Sequence, residues 1–250
     1  MDNDCQTIEI QRRYCGPPDS GNGGYCAGLL ANALPASGLS GGAVEVTLKL
    51  PPPLDRPLEI RHRDGIAHLC DGDLEIAVAR RADLALDVPS SPGVAAAQDA
   101  ATRYVGLKHH LFPGCFVCGP GRGAGDGLRV FAGVLSDTPV AAAPWLAEQQ
   151  YCDGQDLVAP EIIWAALDCP GYFGLLQPGL VALLGRMHGQ IIERPRAGEQ
   201  CVVTGWRLGV EGRKFFAGSA LYANDGRVLA KARAIWIQLD RERFQVSAGR

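Results

Sequence analysis

The polar and apolar positions of this chain fall into two blocks, each an apolar helix followed by strands. In the first block, Asn22-Gly23-Gly24 leads into an apolar run from Tyr25 to Leu34 that Pro35 closes. Asparagine is a strong helix N-cap and proline cannot continue a helix, so both ends are marked. Strand-like stretches follow at 43–50, 58–63, 66–70 and 74–80. In the first of them Val44, Val46, Leu48 and Leu50 alternate with Glu45, Thr47 and Lys49, the period-2 pattern of a half-buried strand. Ala- and Pro-containing sequence over 89–101 reads as a connector.

The second block opens with a loop rich in Gly and Cys, 113–127, and a strand over 128–135. A helix led by Pro160 comes next, proline being tolerated in a first turn. Long strands are predicted over 181–192, 201–210, 214–223 and 228–239, with Asn224-Asp225-Gly226 as a tight turn between the last two. Both helices are apolar nearly all round, which predicts burial. The pattern is that of an α+β chain in which an antiparallel sheet wraps a buried helix, twice.

Bulk properties narrow the function classes. The 250 residues suffice for one large or two small domains, and 47% hydrophobic with 20% charged residues is ordinary for a globular protein. A net charge of -3 with scattered signs argues against a nucleic-acid or anionic-membrane surface. No run approaches the roughly 18 apolar residues of a membrane span. Met1-Asp2-Asn3-Asp4-Cys5 is acidic and has no apolar core, unlike a signal peptide. Nine cysteines without a secretory signal point to a reducing compartment, so a cytoplasmic location is expected.

The candidate chemistry centres on Asp168, an acid inside the almost wholly apolar stretch 160–176. A carboxylate there must be paired, protonated or used, because an isolated buried charge is very costly. Apolar neighbours Ile163, Trp164 and Leu167 should raise its pKa, whereas helix-start amides should lower it, and those dipoles with a bound water are expected to keep it ionised at neutral pH. A structural role is the competing reading: Asp168 lies two residues before Pro170 and could cap an N–H freed there. Asn22-Gly23-Gly24 could likewise be only an N-cap and a tight turn.

Cys115-Phe116-Val117-Cys118-Gly119, then Gly127-Leu128-Arg129-Val130-Phe131, then a helix ending Leu167-Asp168, resemble the hotdog-fold acyl-CoA thioesterases of the phenylacetyl-CoA type. The resemblance covers most of 113–240; over 16–85 it rests on Gly21-Asn22-Gly23-Gly24 and the strand pattern. It implies a double hotdog, two antiparallel sheets each around a central helix, with 1–106 as the first unit and connector and 107–250 as the second. In that family the helix opens His-Gly-Gly and carries its acid nine positions after the His. Counting back nine from Asp168 gives Ala159, so the second half keeps the acid and lacks the His-Gly-Gly. Counting forward nine from Asn22 gives Ala31, so the first half keeps the Gly-Gly, with Asn22 for His, and lacks the acid.

The family's dimer sets the glycine-led helix start of one unit against the acid of the other. The resemblance therefore implies one live site per chain, from Asn22, Gly23 and Gly24 with Asp168, and a decayed one at Ala31 with 159–161. Helix-start amides suit a developing thioester oxyanion, and Asp168 would serve as general base or as nucleophile. Glu161, Trp164 and Tyr172 are candidate substrate-binding residues, with a first-turn charge role for Glu161 and simple packing for Tyr172 left open. The expected activity is hydrolysis of an acyl-CoA or acyl-carrier thioester by a homodimer. The alternative is a non-catalytic acyl-CoA or lipid binder, and a hydratase ranks third because neither helix supplies a His.

Other motifs are weaker. Cys115 and Cys118 with His109 and His110 could seed a zinc site, but no second Cys-x-x-Cys completes four ligands, so no metal and no cofactor are expected. Cys169 has no obvious His partner and reads as a small core residue. The glycines of 119–127 lack the Lys-Ser/Thr ending of a phosphate loop and read as a linker.

Overall fold

In the computed structural model, which describes residues 5–34 and 42–240, eleven strands form one continuous antiparallel sheet. The first five are β1 (Cys5–Glu9), β2 (Val44–Leu48), β3 (Pro57–Arg63), β4 (Ile66–Asp71) and β5 (Leu74–Arg81). The remaining six are β6 (Gly133–Val134), β7 (Val140–Leu146), β8 (Ala182–Ile191), β9 (Gln200–Glu211), β10 (Lys214–Ala223) and β11 (Val228–Gln238). Their spatial order is β1-β3-β4-β5-β2-β8-β11-β10-β9-β7-β6, so each block keeps to its own side. Three helices accompany them: α1 (Gly23–Asn32), α2 (Val94–Ala101) and α3 (Pro160–Phe173). None is long and apolar enough to cross a membrane.

The expectation of two sheets is corrected at β2 and β8. These strands pair antiparallel from Val44–Gly189 to Thr47–Arg186, which merges the two sets. Two inner edges left facing each other would carry unpaired backbone groups, and pairing removes both edges at once. The half-buried Glu45 at this seam is held by Arg80 at 2.7 Å and by Arg186 at 3.5 Å, one cation from each block.

Most predicted elements are present with ends shifted by a residue or two. The tight turn at Asn224-Asp225-Gly226 does join β10 to β11. Pro35, predicted to close the first helix, lies outside the described residues. Three differences have local causes. The strand expected over 128–135 shrinks to β6, with the Val130 N–H donating a hydrogen bond to the Val117 carbonyl in the preceding loop. The Ala-rich β7 has weak strand propensity of its own and is held by pairing along its whole length with β9. The connector contains α2, whose Ala97 and Ala100 bury against Ala142, Val202 and Tyr222 of the second block.

The main core lies on the other sheet face, around α1 and α3, which pack directly together. Glycine sets their separation. A Cβ at Gly24 would stand 2.5 Å from the Asp168 Cβ and 2.6 Å from the Trp164 carbonyl oxygen. One turn on, a Cβ at Gly28 would stand 2.6 Å from the Glu161 Cα. A side chain at either position must push backbone away, and packed cores resist that. Gly28→Ala is therefore expected to destabilise the protein by about 1–3 kcal/mol in urea-induced unfolding, although it adds only one methyl group.

Candidate active site

The first turn of α1 and the third turn of α3 meet at one carboxylate. Asp168 is 2% exposed. Its Oδ2 accepts a hydrogen bond from the Asn22 side-chain amide at 2.9 Å and another from the Gly24 backbone N–H at 3.0 Å. Asn22 faces both ways: its Oδ1 accepts the Tyr25 N–H at 2.9 Å, which caps α1, while its Nδ2 donates to Asp168. One side chain thus ties the start of α1 to the middle of α3, and front half to back half.

The other oxygen, Oδ1, is equally buried and has no hydrogen-bond partner among the described residues. Burial raises the Asp168 pKa to about 7; the Gly24 and Asn22 bonds pull against this and the Cys115 thiol adds to it. The expectation of a fully ionised acid is thus corrected. Two donors do not offset the loss of water around the group, and near neutrality the carboxyl is divided between both forms.

Asn22, Gly23 and Asp168 line one cavity of about 930 Å³, together with Tyr172. Its wall is mostly apolar and draws on both blocks, from Leu48 and Pro52 to Phe173 and Leu184. The Tyr172 hydroxyl donates to the Leu180 carbonyl at 2.5 Å, so its ring is fixed in the wall. Among the first-turn amides of α1, Gly24 donates to Asp168, Tyr25 to the Asn22 side chain and Cys26 to the Asn22 carbonyl. The Gly23 amide is the remaining donor, and Gly23 lies on the cavity wall.

Other expected residues fall elsewhere. Gly24 is behind the wall, with its N–H committed to the carboxylate. Trp164 packs its ring against Gly189 of β8, and Glu161 lies against Gly28; neither lines the cavity. Ala31 and Ala159, the counterparts of Asp168 and Asn22, do not line it either.

Sequence reasoning missed what surrounds the acid on its far side. Cys169, the next residue, lies 3.9 Å from Cys115 between sulfurs, and both line the cavity with Cys118 and His110. Hydrogen bonds from the Cys118 and Cys169 thiols, then from the Cys118 and Val117 amides, hold the Cys115 thiol well below its usual range. Burial lowers the His110 pKa. The loop 113–119 and α3 are about fifty residues apart in sequence, and no local spacing could have joined them.

No protein-family model and no curated protein sequence matches this chain. Solved structures do match its fold. A tesB protein of Mycobacterium avium subsp. paratuberculosis superposes with a TM-score of 0.63 at 9% identity, over 94% of this chain and 93% of its own. A protein from Thermobifida fusca assigned as a thioesterase II gives 0.59 at 15% identity, over 96% and 94%. A protein of unknown function with a hot dog fold, from Alicyclobacillus acidocaldarius, gives 0.51 at 11% identity, over 96% and 95%. The fold is therefore a hotdog fold, and the likeness covers 94–96% of the chain.

The double duty of Asn22 can be separated by Asn22→Ser. Serine caps a helix as well as asparagine does, yet it is too short to reach Asp168. Urea unfolding is expected to show a loss of about 1–3 kcal/mol, the usual cost of stranding a buried carboxylate bond. A cap-only role would leave stability nearly unchanged.

Proposed function

We propose that this protein is a double hotdog, with units 1–106 and 107–250, that hydrolyses an acyl-CoA-type thioester at one site where the units meet. The observation that carries this reading is the Asp168 carboxyl: supplied by the back half, bonded through one oxygen to Asn22 and Gly24 of the front half, and unpartnered through the other at the wall of a large apolar cavity. The names of the fold neighbours, thioesterases among them, agree with it.

In this mechanism the acyl chain occupies the apolar part of the cavity and the thioester carbon stops beside Asp168. Oδ1 takes a proton from a water as that water attacks the carbon, a task suited to a base whose pKa lies near ambient pH. The Gly23 N–H, at the positive end of α1, stabilises the oxygen as it gains charge. Collapse of the tetrahedral intermediate expels the thiolate, which takes up the proton held on Asp168, and leaves the free acid, the thiol and the ionised carboxylate. Direct attack by the carboxylate, through a mixed anhydride, uses the same atoms. Asn22 and Gly24 hold the carboxylate in place, Asn22 from the cavity wall and Gly24 from behind it. The cavity volume falls within the usual range of about 300–1,000 Å³ for small-molecule sites.

The rival reading is a binder of acyl thioesters without turnover. It draws support from the engagement of the Gly24 amide by Asp168, which leaves a single first-turn amide for an oxyanion.

A panel of acyl-CoA thioesters with free-thiol detection decides between them. Asp168→Asn keeps the size of the side chain and should lower turnover at least about a hundredfold with the fold intact. Ala31→Ser, at the decayed position, should leave turnover near normal. Ligands that raise the melting temperature without any thiol release from the unaltered protein would establish the binder instead.

A further inference from the structure

Three of the nine cysteines converge in one buried cluster. Cys115, Cys118 and Cys169 are 3%, 4% and 7% exposed, and their sulfurs all lie within 4.8 Å of one another. The Cys115–Cys169 sulfur separation is 3.9 Å. Three thiolates on a tetrahedral ion at about 2.3 Å would have their sulfurs about 3.8 Å apart. The Cys115–Cys169 pair is thus already at the separation of bound ligands, and Cys118 lies within 4.8 Å of both.

The loop that carries two of them is shaped for the same task. Cys115-Phe116-Val117-Cys118-Gly119 has the two-residue spacing of a metal-binding turn. Gly119 donates its N–H to the Cys115 carbonyl at 2.9 Å, and a Cβ there would fall 2.5 Å from that same oxygen, so only glycine closes this turn. Interaction with the backbone N–H groups of Cys118 and Val117 lowers the Cys115 thiol pKa, alongside its stronger interactions with the Cys118 and Cys169 thiols. Amides directed at sulfur stabilise a thiolate and are the usual outer partners of metal-bound cysteine. His110 adds another. Its Nδ1 accepts the Phe112 N–H at 2.9 Å, which puts the ring proton on Nε2, 3.3 Å from the Cys118 sulfur. His110 is then a donor to that sulfur and not a fourth ligand.

We propose that Cys115, Cys118 and Cys169 form a three-thiolate site for a thiophilic divalent ion, zinc, with the fourth position open to the cavity. All three cysteines and His110 line that cavity, which gives the ion a path of entry. Binding would replace three S–H bonds by three Zn–S bonds and release three protons to solvent. Zinc with three protein ligands and one exchangeable position is the coordination of reactive zinc centres, whereas closed four-ligand sites are structural. The site is independent of the thioesterase reading, because ion binding is measured without substrate.

The test uses the full chain, purified under reducing conditions and stripped with a chelator. Titration with cobalt(II) should give strong near-ultraviolet thiolate-to-cobalt charge transfer that saturates at one ion per chain. Zinc should abolish that signal by displacement and raise the melting temperature of the unaltered protein. Cys115→Ser, Cys118→Ser and Cys169→Ser should each weaken zinc binding by more than about a hundredfold. His110→Gln, which keeps all three ligands, should weaken it by about 10–100-fold. Absence of the charge-transfer band in folded, fully reduced, unaltered protein overturns the site without recourse to any variant. Equal zinc affinity in the serine variants overturns it too, by placing the ion elsewhere.

Discussion

The contact between α1 and α3 governs the rest of this molecule. Gly24 and Gly28 let the two helix backbones approach to a distance that no side chain permits, and that approach brings the Asp168 carboxyl onto the first turn of α1. Were the helices a conventional distance apart, the Gly24 N–H could not reach Oδ2, and the acid would be buried without a donor. The merged sheet serves the same contact from outside. Its β2–β8 seam fixes how the two blocks sit, so the helices each block presents meet in one register.

A buried acid is a cost that needs a reason. Asn22 and Gly24 satisfy one oxygen and leave the other unpartnered, and burial keeps the group near neutrality in pKa. A purely structural acid would be better served by bonds to both oxygens, or by an amide in its place. The same α3 turn brings Cys169 to Cys115 and Cys118, so two chemically loaded groups stand side by side on one cavity wall.

Much of this was legible in the chain. The N-cap at Asn22, the alternation of 44–47 and the lone acid at Asp168 are local signals and each is where the pattern put it, although the strand ends at Leu48 and Leu50 is exposed. The pairing of Asn22 with Asp168 is what the hotdog thioesterase resemblance implies, through the complementary gaps it exposes at Ala31 and Ala159. What stayed hidden is non-local. The seam between β2 and β8, the burial of Ala97 and Ala100 on the second block and the approach of Cys169 to the 115–119 turn depend on how distant segments pack. Glu161 and Trp164 were drawn towards the site by their place on α3, yet a helix has several faces, and theirs look at Gly28 and β8.

The account stands or falls on whether the two halves are coupled through that one carboxyl. A double-mutant cycle on unfolding free energy, with Asn22→Ala, Asp168→Ala and the pair, measures the coupling directly. The account predicts an interaction energy of at least about 1 kcal/mol, because either single change removes the hydrogen bond that joins these two buried side chains. Strictly additive effects would mean that Asn22 and Asp168 act separately, and would contradict a site shared between the halves.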